Sequence, residues 1–206
     1  MTTVAPLAAQ HHPYFVQQME VSDELSGIPR WEVLSGLLAG KNVLHVGCAD
    51  WPITDPTTNL HVQLDAVCSG LDGFDPHQEA MQALAPYVRG RLFTDWSQIT
   101  DSYDILLVPE VLEHVSDVST FFAQLDSVDF GAALITVPDA FQCRNGHFEY
   151  DATTSLFTEV VHPDHNVWFT PYTFSNIVRK HTNWSVDGLW FYNRMSLMML
   201  ASKPAS

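Results

Sequence analysis

Short apolar runs alternate with helix-like segments along most of the chain, and this alternation restricts the possible folds more than any single residue does. "PRWEVLSGLLAG", from Pro29, reads as a helix: proline suits its first turn, Trp31, Leu34, Leu37 and Leu38 share a face, and Gly40 suits its end. "NVLHVG" follows as a short buried strand. "ITDPTTNLHVQLDAV" reads as a helix capped by Asp55, with Pro56 in its first position. "VCSGLDGFD" is the next strand, "PHQEAMQALAPYV" a helix stopped near Pro86, and "GRLFTD" a third strand. "YDILLVPEV" and "FGAALITVPD" are buried strands on either side of "DVSTFFAQLDSV", where Val118, Phe121, Phe122 and Leu125 recur at helical spacing. "TPYTFSNIVRKH" is a last helix, and "NWSVDGLWFY" and "RMSLMMLAS" alternate as a pair of antiparallel strands.

This order predicts an α/β fold: a Rossmann-like, doubly wound, mostly parallel sheet with helices on both faces. Ligands of such sheets bind beyond the carboxyl ends of the strands. The length of 206 residues suits one domain, and 46% hydrophobic residues suffice for a sizeable core. Residues 29–206 read as that domain and residues 1–28 as an N-terminal segment, a partly ordered lid. Residues 139–170 read as long, irregular and rich in His, Asp and aromatics, a covering insertion.

A formal net charge of -15 argues against a nucleic-acid backbone or an anionic membrane as a partner surface. The chain shows no basic leader and no run of apolar residues long enough to span a bilayer. The cysteines, Cys48, Cys68 and Cys143, form no CxxC pair, which fits a reducing cytoplasm better than a disulfide framework. The expected partner is a small molecule, and the sequence is silent on oligomeric state.

The residues that end the strands carry usable chemistry. Gly47 permits a tight turn and close backbone approach. Asp72 ends the second strand, where an acid can accept two ribose hydroxyls, and Asp75 is the alternative after a small change of register. Asp72 is favoured because it follows "SGL" directly. Asp95 could accept from an adenine amine while Trp96 stacks on the ring, and Glu110 follows the fourth strand. Taken singly, each acid could equally cap a helix or solvate a turn.

The runs "VLHVGCAD", "GLDGFDP", "YDILLVPEVLEHVSDVSTFFAQL" and "LITVPDAF" resemble class I S-adenosylmethionine-dependent methyltransferases, of the broad ubiquinone-biosynthesis-like and glycan-cluster group. The resemblance covers roughly residues 30–200. It implies a seven-stranded sheet with an antiparallel last strand, and S-adenosyl-L-methionine as cofactor with S-adenosyl-L-homocysteine as product. It further implies that the backbone of Gly47, Cys48 and Ala49 contacts the methionine portion and that Asp72 holds the ribose. Asp95 and Trp96 would border the adenine, and Glu110 would line the methionine or substrate side. The chain departs from the family pattern at His45, where an acid is usual, and at Ala49 and Trp51, where glycines are usual. A bulky Trp51 copies a glycine's positive φ only at a cost.

A hydroxyl acceptor calls for a base, and histidine is suited near neutral pH. His165, in "HPDHNVW", is the preferred base; His114, in "EVLEH", is a second candidate or a helix-capping residue. His162 and His165 could also join Asp139 or Glu149 around a metal, but the spacing matches no specific metal motif and no metal is assigned. The expected activity is methyl transfer to oxygen or nitrogen of a small molecule. The alternatives are a catalytically inactive binding or regulatory protein on the same fold, and a nicotinamide-dependent dehydrogenase. The dehydrogenase is disfavoured because GxGxxG is absent.

Overall fold

The computed structural model describes residues 6–52 and 55–204. Five parallel strands come first: β1 (Asn42–Val46), β2 (Gly70–Phe74), β3 (Leu92–Phe93), β4 (Ser102–Pro109) and β5 (Asp129–Pro138). A small hairpin, β6 (Phe148–Asp151) with β7 (Leu156–Glu159), stands apart, and β8 (Ser185–Tyr192) and β9 (Ser196–Ser202) close the chain. The main sheet has seven strands in the order β3-β2-β1-β4-β5-β9-β8, with β9 antiparallel to both neighbours. The helices are α1 (Arg30–Leu38), α2 (Leu60–Asp65), α3 (Gln78–Leu84), α4 (Val118–Ser127), α5 (Ala140–Cys143) and α6 (Pro171–His181).

Alternate residues of each strand serve opposite layers, as the pleat requires. Val43, Leu107, Leu134 and Met198 pack with Val33, Leu34 and Leu38 of α1 and Leu64 of α2. Leu44, Leu106, Ile135 and Met199 pack on the other face with Phe122 and Leu125 of α4 and Phe174 and Val178 of α6. The central strands are therefore apolar on both sides, and read in sequence as continuous hydrophobic runs. Thr170 caps α6 through the Thr173 N–H (3.3 Å), Pro171 opens it, and Arg179, Lys180 and His181 sit in its last turn, where the helix dipole favours positive charge. The β8–β9 hairpin turns through Asn193 and Arg194, both at positive φ (50° and 59°), a geometry that matches the twist of the two strands.

Several local expectations are corrected. The buried face of α1 is Val33, Leu34 and Leu38, whereas Trp31 and Leu37 point outward. The second helix starts at Leu60 rather than near Asp55. Its cap is Asn59, whose Oδ1 accepts from the Val62 N–H (3.1 Å) while its Nδ2 donates to the Cys48 carbonyl (2.9 Å). Asp55 instead closes a turn on the Thr57 N–H (2.9 Å); Ile53 and Thr54 lie outside the described residues. The segment 139–170 is not irregular throughout: it holds α5 and the β6–β7 hairpin. Of the N-terminal segment, Ser22 bonds to β8, donating to Leu189 (3.0 Å) and accepting from Phe191 (2.9 Å), which covers that sheet edge. No helix among the described residues is long and apolar enough to cross a membrane.

Phe122 is fully buried between α4 and the sheet. Phe122→Ala is expected to lower unfolding free energy by about 3–5 kcal/mol in urea titrations. A loss below about 1 kcal/mol would contradict this packing.

Candidate active site

The carboxyl ends of β1, β2 and β4 open into one cleft of about 640 Å³, within the range of small-ligand sites. One wall is the turn after β1. Gly47 sits at φ 77°, and a Cβ there would lie 2.5 Å from Val111 Cγ2, so only glycine fits. The Gly47 and Cys48 N–H groups both donate to the Phe74 carbonyl (2.8 and 3.3 Å), and the Ala49 N–H donates to Asp75 Oδ2 (3.2 Å). The turn is thus tied to the end of β2. The second left-handed residue in this loop is Asp50, at φ 54°; Trp51 escapes that strain and stacks on His77 (5.7 Å between centroids).

The acids divide sharply. Asp75 leaves the end of β2, is 4% exposed and lines the cleft. Its Oδ1 also accepts from the His77 N–H (3.0 Å) and meets His77 Nδ1 (2.9 Å). The preference for Asp72 is corrected: Asp72 lies mid-strand, opposite Leu44, and does not line the cleft. Its oxygens accept from the Arg91 N–H (2.8 Å), Arg91 Nη2 (2.5 Å) and the Tyr103 hydroxyl (2.9 Å). Burial raises the Asp72 carboxyl, but the bonds from Arg91 and Tyr103 outweigh it and hold the group below the usual carboxylate range. Asp95 is likewise outside the cleft, capping a 3-10 turn through the Ser97 N–H (2.8 Å). Trp96 stacks on Phe74 (3.8 Å) at the edge of the core, also away from the cleft wall. Cys48 lines the cleft, while Ala49 faces a smaller recess beside it.

The opposite wall follows β4. Glu110 adopts φ 54° and accepts from Thr136 Oγ1 (2.7 Å), which turns its carboxyl into the cleft near Arg30. Burial raises the Glu110 carboxyl above its ordinary value. Three residues on, Glu113 is fully buried, and burial followed by repulsion from Glu110 pushes it up to about 9. His114, His162 and Asp164 line the cleft at this end. His165 stands behind His114, with ring centroids 4.5 Å apart, and is absent from the cleft wall. Burial and then the neighbouring histidines push His165 down to about 4, and burial and His162 lower His114. Both shifts favour the neutral imidazole, whose unprotonated ring nitrogen can offer a lone pair.

Sequence reasoning missed Arg30, Glu113 and Asn166. Arg30 opens α1 and reaches the cleft with Nε buried and unpartnered. Asn166 fastens the 139–170 segment, its N–H donating to the Glu113 carbonyl (2.8 Å) and its Nδ2 to the His114 carbonyl (2.8 Å). The one available signal was Glu113 within "EVLEH"; nothing local marks the other two. Asp139 and Glu149 do not join the histidines. Asp139 caps α5 through the Phe141 (3.1 Å) and Gln142 (3.3 Å) N–H groups, and Glu149 is exposed on β6. His45 is 3% exposed and pairs Nδ1 to Nδ1 with His61 (3.2 Å) beneath the turn; burial and then His61 drive it well below its usual value.

The structural role of Asp72 has a pH signature. Because its pKa is depressed, its stabilisation is present above the unfolded value near ~3.9 and is lost as pH falls through the folded one. Asp72→Asn is expected to cost about 1.5–3 kcal/mol at pH 7. In urea titrations the gap from the unsubstituted protein should shrink toward pH 2; a gap independent of pH would contradict the charge pairing.

No family model matches the chain. A ubiquinone biosynthesis O-methyltransferase of Rhodopseudomonas palustris (strain BisB18) is 29% identical over 104 residues, which are 48% of this chain. The chain spans only 40% of that relative's length. Among solved structures, magnesium protoporphyrin IX methyltransferase (ChlM) from Synechocystis PCC 6803 with bound SAH superposes with TM-score 0.52 at 17% identity, covering 84% of this chain and 79% of that one. A chain of the Pnkp1/Rnl/Hen1 RNA repair complex gives TM-score 0.56 at 13% identity, covering 84% of this chain and 41% of that one. The strand order, the antiparallel last strand and these likenesses agree: the chain has the class I S-adenosylmethionine-dependent methyltransferase fold, that of the family its strand-end motifs resemble.

Proposed function

We propose that the cleft binds S-adenosyl-L-methionine and that the protein transfers its methyl group to an oxygen or nitrogen of a small-molecule acceptor, releasing S-adenosyl-L-homocysteine. The observation that carries this reading is that one cleft joins the Gly47 turn, Asp75 and Arg30 to a second wall bearing Glu110, His114 and His162. Asp75 keeps acceptor capacity for ribose hydroxyls, since a carboxylate offers about four lone-pair sites and three are engaged. Arg30, with Nε unpartnered, suits the carboxylate of the methionine portion. Cys48 contributes backbone approach only; its buried thiol, packed 3.5 Å from Met81 Sδ, is no nucleophile.

Methyl transfer is an in-line displacement, so alignment of acceptor, methyl carbon and sulfur supplies most of the acceleration. The sulfonium gives up its methyl, the C–S electron pair stays on sulfur, and the acceptor's proton leaves. His114 and His162 are the imidazoles that line the acceptor end of the cleft, and with His165 close behind them they are the candidate bases. A small acceptor fits the cleft volume and the net charge of -15, which repels phosphodiester chains. A second reading, binding without transfer, draws on the turn itself: the Gly47 and Cys48 N–H groups are spent on Phe74 and offer nothing to a ligand.

Calorimetric titration with S-adenosyl-L-homocysteine, S-adenosyl-L-methionine and NAD separates these readings. The first two are expected to bind and NAD is not. Asp75→Ala should weaken binding by at least about tenfold, the scale of lost hydrogen bonds to a charged group. Asp72→Asn should leave it within about twofold, as expected for a residue with no ligand contact. Absence of binding at millimolar ligand would sink the proposal, and binding without turnover on hydroxyl and amine acceptors would favour the second reading.

A further inference from the structure

His45 and His61 meet beneath the Gly47 turn, and neither takes part in the chemistry described above. His45 is the penultimate residue of β1 and lines the cleft, and His61 lies in the first turn of α2. Their Nδ1 atoms stand 3.2 Å apart, with 3% and 0% of each residue exposed. Two ring nitrogens at that distance hold one proton between them: one ring donates its N–H and the other accepts with its lone pair. His61 Nε2, on the far side of its ring, is buried without a partner, so nothing there satisfies a further proton.

This contact is one of two clasps between the turn and α2. The other is Asn59, which caps α2 and donates to the Cys48 carbonyl (2.9 Å). Strand β2 closes the remaining side. A Cβ on Gly73 would lie 2.6 Å from Cys48 Sγ and 3.0 Å from His61 Cε1, so the imidazoles have no room to slide toward β2. The charged groups that face the pair are Arg30 of α1 on the His45 side, and Asp65 of α2 and Asp72 of β2 on the His61 side. Both carboxyls are held by other partners, Asp65 by Arg89 Nε (2.9 Å) and Asp72 by Arg91 and Tyr103.

We propose that His45 and His61 are positioning residues for the cofactor: their one-proton bond clamps α2 under the Gly47 turn, and uptake of further protons in mild acid releases the turn and with it the ligand. A further proton makes an imidazolium in a buried site, beside a second ring and Arg30. Two imidazoliums would set N–H against N–H and leave no bond at all. Burial first, then His61 and Arg30, drive His45 well below its usual value. Burial pushes His61 down to about 4 against the opposing pull of Asp65 and Asp72. Once the turn opens, both rings are solvated and titrate near ~6.5. Opening therefore takes up protons, and the closed turn loses ground as pH falls below that value.

The inference rests on the cofactor reading for its consequence, and the experiment separates the two. S-adenosyl-L-homocysteine is titrated calorimetrically into the full chain from about pH 7.5 to about pH 5.5, the span that brackets a solvated histidine, with circular dichroism verifying the fold at each pH. Histidine ring N–H proton resonances are followed by NMR over the same span. An exchange-protected ring proton is expected at the upper end and should vanish on acidification. Affinity should fall at least about fivefold over that span, with up to two protons taken up on release. His61→Leu removes the bond and should weaken binding about three- to tenfold at the upper end. His61→Asn, whose amide replaces Nδ1 but takes up no proton, should recover most of that affinity and flatten the pH profile, a readout that simple packing would not move. His45→Asn is the independent second variant and should flatten the profile in the same way. Unchanged affinity across the span would overturn the proposal. So would a profile as steep in His61→Asn and His45→Asn as in the unsubstituted protein, which would assign the acid loss to His77, His114 or His162. An acid-labile ring proton in a chain that binds no S-adenosyl-L-homocysteine would retain the clamp and reject the cofactor reading.

Discussion

Everything in this molecule depends on strands that are buried on both faces. A strand such as β4, with Leu106 and Leu107 both fully buried, cannot lie at a solvated surface. It demands one helical layer for each side, and α1 with α2 and α4 with α6 supply them. Parallel neighbours require crossovers, so β1, β2 and β4 all deliver their carboxyl ends to the same edge. The cleft is the direct result: loops leaving those ends diverge, some to the α2 side and some to the α4 side.

Within that cleft the electrostatics separate into two regions. At the β1–β2 end, backbone amides and Asp75 form a polar shelf whose donors are largely engaged with one another. At the β4 end, Glu110 and Glu113 are crowded and desolvated, facing Arg30 and a cluster of histidines. Burial raises the carboxyls and lowers the imidazoles, so both classes drift toward neutrality.

Much of this was legible before the structure. Hydrophobic runs, Pro29 and Gly40 marked elements well because their effects are local: fixed φ, a missing N–H group and permitted positive φ. Exact strand ends were less legible. "GLDGFD" contains two acids in one run, and which of them leaves the sheet depends on where pairing with β1 and β3 stops. Asp95 and Trp96 stand outside the cleft wall for a related reason, since an acid followed by Trp-Ser-Gln also makes a capping box, which Asp95 forms here. Trp51 avoids the positive φ that a glycine would supply, because the left-handed position falls on Asp50.

By itself the sequence determined the layered architecture and the turn glycines Gly40 and Gly47, because each follows from short-range periodicity and backbone freedom. Only the tertiary structure decided that Asp75 rather than Asp72 reaches the cleft, that Arg30 reaches it from the first helix, and that His165 lies behind His114 beside Glu113. Those facts depend on contacts between distant segments: Arg91 and Tyr103 claiming Asp72, and Asn166 pinning the 139–170 segment to the backbone of Glu113 and His114. No local propensity encodes such pairings, because they exist only once the core has brought the segments together.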